Sequence, residues 1–456
     1  MIKKLLLPLL LFCCICTSQS LRAQYIAIPD SNFGKWIFAN GDSTCLTGSA
    51  TTGWRLDTTC TLLSQVVDID CSGDSIADLT GIRYFPNLRN LYCGRNVLTS
   101  LPVLPPSVTY ISCGFNLITT IASLPDSLLT LDCSYNPLSS LPALPATVTE
   151  VSASHDMLAS LPALPVSLQI LICADNSLTT LPALPASLLS MDCSYNTLAS
   201  LPTLPPMLFN LACNNNSIGT MPALDDSLRF LNCGNNSLAL LPAIPPLLIT
   251  LDCSYNSLPA LPAPDSFMTT LYCEYNLLTI LPALPDTMSA LDCSHNLLSA
   301  LPQLPYSLSS LDCSVNAALS CLPVIYQDPM SRFYIDSTAI QCLPDRFSAT
   351  YFDMDPDSIP LCTSASGCAY TSTTGIAVIN TDSYTQLYPN PNTGSFHLLV
   401  PAGAGTAYTI TDIVGHMVAQ ETVSMADQQV DISGAAPGVY FLCMKDKTPI
   451  RFAVMR

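Results

Sequence analysis

The sequence predicts a parallel β solenoid with an extended, polyproline-like back, followed by a short β-rich terminal region. Three observations carry that prediction. A six-residue phrase returns every 20 residues, twelve times from Cys93 to Cys313, as in Leu131-Asp132-Cys133-Ser134-Tyr135-Asn136 and Leu251-Asp252-Cys253-Ser254-Tyr255-Asn256. Within the phrase, Leu-x-Cys alternates with period two, the pattern of a strand. After it stand two prolines three apart, as in Leu181-Pro182-Ala183-Leu184-Pro185; they remove backbone donors and restrict the residues before them, which excludes a helix.

A 20-residue unit cannot bury enough apolar surface to offset its own ordering entropy, so units must stack and cover one another's open faces. The fullest form reads L-x-x-L-x-C-x-x-N-x-L-x-x-L-P-x-L-P-x-S, with Leu128, Leu131, Cys133, Leu138, Leu141 and Leu144 directed inward in one copy. Constant spacing places neighbouring strands parallel and in register, roughly 4.7–4.9 Å apart. A return path this thin implies a flatter solenoid than one backed by helices. Asn fills the ninth position of the unit in eleven of twelve copies, Asn136, Asn196 and Asn256 among them, and Asp156 takes the other. These amides are expected to form a structural ladder that satisfies backbone groups where each strand bends into its loop.

In chain order, Lys3 and Lys4 followed by the apolar run Leu5 to Ile15 mark residues 1–23 as a secretory signal peptide, too short to serve as a transmembrane anchor of the mature chain. Residues 24–65 form an N-terminal cap, where Cys45 and Cys60 lie 15 apart in a polar stretch and are the best disulfide candidates. The solenoid occupies 66–320. Degenerate repeats and a C-terminal cap fill 321–362, and among Cys321, Cys342, Cys362 and Cys368 one bridge is expected without an assignable pairing. A Ser/Thr/Gly-rich linker spans 363–385, and short alternating strands occupy 386–456.

Twenty-two cysteines would suggest a disulfide scaffold, but eleven sit on the 20-residue ladder, with Ala153 in the remaining slot. Side by side on parallel vectors, thiols such as Cys133, Cys193 and Cys253 read as small hydrophobes rather than bridges or zinc ligands. No metal or other cofactor is expected. Without Lys3, Lys4 and Arg22 the chain carries 12 basic against 33 acidic residues, a net charge of −21. That balance argues against nucleic acid as a partner.

The repeat with its trailing Leu-Pro-x-Leu-Pro resembles the leucine-rich repeat, in the short class seen in secreted bacterial effectors. Ile28-Pro29-Asp30-Ser31-Asn32-Phe33, Asp70-Cys71-Ser72-Gly73 and Leu79-Thr80-Gly81-Ile82 look like the opening of bacterial surface proteins of this type. Near the other end, three ordered motifs resemble the C-terminal sorting domain of type IX secretion cargo. They are Tyr388-Pro389-Asn390-Pro391 with Gly394 and Phe396, Asp412-Ile413-Val414-Gly415-His416, and Gly438-Val439-Tyr440-Phe441-Leu442. The resemblance implies a small β-sandwich, recognised by the secretion machinery, that carries its cargo across the outer membrane. His416, where Arg or Lys is typical, and an ending poor in lysine depart from the pattern.

Strand positions between inward side chains face the concave side. Just before the ladder cysteines lie Asp132, Asp192, Asp252, Asp292 and Asp312; two after them lie Phe115, Tyr135, Tyr195, Tyr255 and Tyr275, with Tyr92 and Tyr272 beside the acidic row. An acidic row flanked by aromatic rings suits recognition of an extracellular protein or glycan by a monomer. The competing reading is an acidic surface spacer whose repeated phrases reflect duplication alone. A secreted enzyme is the weakest alternative, because four histidines and an open surface offer little to build a nucleophile and its base. The chain is therefore expected to be a non-enzymatic binding or adhesion protein at the cell surface.

Overall fold

A computed structural model describes residues 24–40, 43–264, 267–326, 329–363, 366, 368, 386–388, 394–400, 407–412, 416–424, 427–444 and 450–454. The expected signal peptide, most of the linker, and Pro389, Asn390, Pro391 and Gly415 lie outside the described residues. The chain divides into two compact units, Met1–Ile118 and Thr119–Arg456.

The first unit opens with an antiparallel sheet in which Gly53–Asp57 lies between Tyr25–Ile28 and Leu46–Ser49. A helix, Ser31–Asn40, packs here although the repeat periodicity gives no hint of it. Its start is local chemistry: Asp30 Oδ1 accepts the backbone N–H groups of Asn32 at 2.7 Å and Phe33 at 2.9 Å, an N-cap. Phe33 and Ile37, four apart, are fully buried. Gly34 lets the helix approach Trp54 so closely that a Cβ would stand 2.0 Å from the indole Cδ1. Cys45 and Cys60 are disulfide-bonded, with Cα atoms 5.5 Å apart. Parallel strands follow at Asp68–Asp70, Asn90–Tyr92 and Tyr110–Ser112.

The second unit continues the same period. Three-residue strands begin at Thr130–Asp132 and recur every 20 residues to Ser310–Asp312, then Met330–Tyr334 and Ala349–Phe352. All pair parallel; up to Ser310–Asp312 residue i faces i+20, as Leu251 faces Leu271 and Leu271 faces Leu291, while in the last two pairings Leu311 faces Phe333 and Arg332 faces Tyr351. The segments of double prolines contain neither helix nor strand; the second proline opens a turn, with Leu188 N–H donating to the Pro185 carbonyl at 3.1 Å. Burial is less even than the sequence reading expects. Leu128, Leu131, Cys133 and Leu138 are sealed, whereas Leu144 is only half-buried. The second leucine of Leu-Pro-x-Leu-Pro sits in the thin return path, where no further layer covers it.

Between strand and return path, the twelve residues from Arg95 to Val315 adopt left-handed backbone with φ between 49° and 59°. Twelve non-glycine residues in this region each carry a steric cost, and neighbouring hydrogen bonds hold them there. Tyr195 N–H donates to the Asn214 carbonyl at 2.9 Å, and the asparagine after it completes the turn. Asn196 Nδ2 donates to the carbonyls of Cys193 at 3.2 Å, Ser194 at 3.0 Å and Cys173 of the preceding coil at 3.0 Å; its Oδ1 accepts the Leu178 N–H at 2.9 Å. Asn256 repeats the set on Cys253, Ser254, Cys233 and Leu238. Asn136 donates to the carbonyls of Cys133 and Ser134.

The ladder thiols are buried and unbridged. Burial, with the Asp192 charge beside it, pushes Cys193 up to about 12. At the far end two disulfides form where one was expected, Cys321–Cys368 and Cys342–Cys362. Beyond them, one antiparallel sheet orders Gln386–Tyr388, Ser395–Leu399 and Asp427–Asp431; a second orders Met417–Thr422, Ala407–Asp412, Gly438–Met444 and Ile450–Val454. Both sheets contribute to one core that includes Phe396, Leu398, Ile410, Leu442 and Phe452.

Asn196→Ala removes the donor and the acceptor of one coil at once. It should cost about 1–3 kcal/mol, the range for leaving a buried polar group without its partner, read as a lower urea midpoint. Ladder thiols should stay unalkylated at pH 8 in the folded chain and react completely in denaturant, because a pKa of about 12 for Cys193 leaves roughly one thiol in 10⁴ ionised.

Candidate functional site

The sheet offers two side-chain rows on the face opposite the core. The row just before the ladder cysteines holds the predicted aspartates in two groupings. Asp252, Tyr272, Asp292 and Asp312 are consecutive neighbours in register. Asp192 instead lies between Ile172 and Ala212, and Asp132 faces Ser152. The continuous acidic stretch is therefore confined to the last four coils of the repeat.

Each aspartate also closes its own turn. Asp252 Oδ1 accepts from Ser254 N at 3.1 Å and Ser254 Oγ at 2.6 Å. Asp292 with Ser294, Asp312 with Ser314 and Asp192 with Ser194 repeat the pair of bonds, and Asp132 accepts from Ser134 N. The Asp-x-Ser spacing carried this signal in the sequence, in the manner of an Asx-turn. One carboxylate oxygen of each residue thus has structural work.

In the coil between Asp252 and Asp292 the serine is replaced by Glu274, whose buried Oε2 has no hydrogen-bond partner. Burial pushes its carboxyl up to about 7, and the charges of Asp292 and Asp252 add to the effect. Asp292 is raised as well, by burial first and by Asp312.

The second predicted row is displaced from the sheet. Phe115, Tyr135, Tyr195, Tyr255 and Tyr275 occupy the left-handed turn after the strand and form an exposed rim, whereas Tyr92 and Tyr272 are strand residues. Within the second unit, the 20-residue register stacks rim rings face to face. Tyr255 and Tyr275 lie 4.2 Å apart, Tyr275 and His295 3.8 Å, and Tyr135 and His155 4.1 Å. His155 and His295 are further members of these columns, and in the sequence their equivalence to tyrosine in the repeat is the signal for it. Tyr195, at 57% exposure, has Asp175 and Asn215 as its equivalents on either side. In the first unit Arg95 lies over the Phe115 ring, and Tyr92 contacts Tyr110.

In the C-terminal sheets, Gly394 has a φ of 99°, and a Cβ there would stand 2.6 Å from Ser433 Cα. Asp412 accepts from the His416 backbone N–H at 2.9 Å and lies 3.1 Å from its ring Nδ1. Tyr440 donates to the Ala436 carbonyl, two residues before Gly438. Among the described residues, the one cluster that could bring three ligand atoms to a metal is Cys342, Cys362 and Cys368, and all three are in disulfides. No helix among them is long and apolar enough to cross a membrane.

Residues 386–451 match the Secretion system C-terminal sorting domain. This domain directs export by type IX secretion, to the cell surface or outside the cell. No curated protein matches the chain. Among solved structures, YopM from Yersinia enterocolitica WA-314 is 37% identical with a TM-score of 0.58; the match covers 59% of this chain and 60% of that one. YopM from Yersinia pestis, a leucine-rich effector protein, is 27% identical over 68% of this chain and 89% of that one, with a TM-score of 0.55. The functional domain of InlJ from Listeria monocytogenes, which includes a cysteine ladder, is 20% identical over 96% and 100% of the two chains, with a TM-score of 0.51. The chain is thus a leucine-rich repeat solenoid carrying a secretion sorting domain.

Glu274→Gln should raise stability at pH 8 and leave it nearly unchanged at pH 4. A carboxyl raised on folding contributes stability below its unfolded value of about 4.3 and loses it as pH climbs through about 7. Urea midpoints at the two pH values measure the difference.

Proposed function

We propose that this exported leucine-rich repeat chain binds an extracellular protein or glycan through its strand face and the adjoining aromatic rim, without catalysis. One observation carries the reading: the column of exposed Tyr255 and Tyr275 with half-buried His295 runs alongside the largely acidic stretch Asp252, Tyr272, Asp292 and Asp312. Tyrosine supplies contact area at small entropic cost, with a polar tip for hydrogen bonding. Repetition along the register lets several weak contacts add. The rim sits on backbone held by the asparagine ladder, so its side chains are preorganised for a partner.

A second reading, a stiff acidic spacer, draws support from the Asp-to-Ser hydrogen bonds, which give the acidic row a reason to persist without a ligand. The two readings separate on the rim. Tyr195, Tyr255 and Tyr275 changed together to Ala should lower affinity for the partner at least tenfold, measured with glycan and extracellular-protein arrays followed by titration, while the urea midpoint stays close to that of the parent. Unchanged binding by the triple variant, or no partner on either array, favours the spacer.

A further inference from the structure

We propose that Asp156 is held as a neutral carboxylic acid standing in for the ladder asparagine of its coil, and that its ionisation loosens that coil, giving the solenoid a proton-controlled turn. In its neighbours the amide does two jobs. Asn176, one coil on, accepts the Leu158 N–H at 2.9 Å through Oδ1, and donates through Nδ2 to the carbonyls of Ala153 at 2.8 Å, Ala174 at 3.1 Å and Cys173 at 3.2 Å. Asp156 keeps the accepting half. Its Oδ1 takes the Asn136 N–H at 2.8 Å, two residues before the leucine N–H that the ladder asparagines accept, and the Leu138 N–H favours the charged form of the carboxyl.

The donating half is where the chemistry changes. Asp156 Oδ2 is buried and has no hydrogen-bond partner. The Asn176 amide nitrogen faces the carbonyls of Ala153, Cys173 and Ala174, and the residues equivalent to these one coil earlier are Cys133, Ala153 and Ser154. Carbonyl oxygens only accept, so an ionised carboxylate there would meet acceptors alone. A proton on Oδ2 turns the repulsion into an O–H···O hydrogen bond and reproduces the amide's pattern.

The surrounding charges favour the acid or leave it alone. Burial is the main cause that raises the Asp156 carboxyl, to about 7; Asp132 on the preceding coil adds to it, and the Asn136 and Leu138 N–H groups oppose it. His155, the adjacent residue, stacks on Tyr135 and is paired through Nδ1 with Asp175 Oδ2 of the following coil at 2.6 Å, so this ring nitrogen is directed at Asp175 and away from Asp156. Glu150 lies on the same coil's strand and is half-exposed. The thiols of Cys133 and Cys173, one coil to either side, are buried, and Cys173 is raised well above its usual range.

A carboxyl raised on folding stabilises its coil below the unfolded value of about 3.9, and this support disappears as pH rises to about 7. The test uses amide hydrogen exchange at Asn136 and Leu138 in the full chain, corrected for the intrinsic rate, with a ¹³C-carboxyl titration of the aspartates assigned by Asp156→Asn. In the parent chain the opening constant at these amides should rise about tenfold per pH unit between roughly pH 4 and 7 and level off above. The ¹³C signal lost in the variant should titrate near neutrality. Asp156→Asn, which restores the residue of the eleven other coils, should give a flat profile with the protection retained at pH 8. The local probe separates this coil from Glu274, which lies several coils away. A titration in the ordinary aspartate range, identical profiles for parent and variant, or a profile abolished by EDTA would each overturn the assignment; the last would make Asp156 a cation ligand.

Discussion

The amide of the ladder asparagine is the interaction on which the rest of the solenoid depends. A three-residue strand followed after two intervening residues by left-handed backbone leaves carbonyls and an N–H pointing into the gap between coils. One side chain with two donors and an acceptor, repeated at the same place in every coil but that of Asp156, satisfies that gap and ties each turn to its predecessor, as Asn196 does. Leucine and cysteine supply the apolar filling, but filling has no direction. The amide sets the register, and the register decides which side chains become neighbours on the outer surfaces. The stacked rings of the rim and the aligned carboxylates of the strand face follow from this spacing.

Much of this architecture is legible in one unit of the sequence. The strand comes from the Leu-x-Cys alternation, the absence of helix in the return path from the two prolines, and the parallel pairing from constant spacing. What escapes is information that does not repeat. The helix Ser31–Asn40 is announced only by Asp30 ahead of it and by the four-residue spacing of Phe33 and Ile37, a local signal that the repeat drowns. The half-exposure of Leu144 follows from how thin the back of the coil is, which a list of apolar residues does not reveal. The two bridges at Cys321–Cys368 and Cys342–Cys362 needed coordinates because four cysteines allow three pairings.

The candidate surface divides in the same way. Its constituent residues could be named from the sequence, yet their grouping could not. Alternation places Asp252 outside, but only the register shows that Asp192, between Ile172 and Ala212, belongs to no acidic stretch. Alternation along the strand suggests tyrosines flanking the acidic row; the left-handed turn moves them to a rim of their own, where His155 and His295 join them. Export is thus a property of the sorting domain, and the proposed recognition belongs to a separate part of the chain, the solenoid.

The one-to-one correspondence of i with i+20 has a consequence for how such a chain changes over generations. Unequal crossing-over between two copies of the phrase removes or adds a whole coil, and the junction rejoins a leucine to its equivalent, such as Leu251 to Leu271, without disturbing either flank. Length can therefore change in quanta while every intermediate still folds, and each quantum brings new members into the outer columns. A surface assembled this way is edited by insertion and deletion as readily as by point substitution.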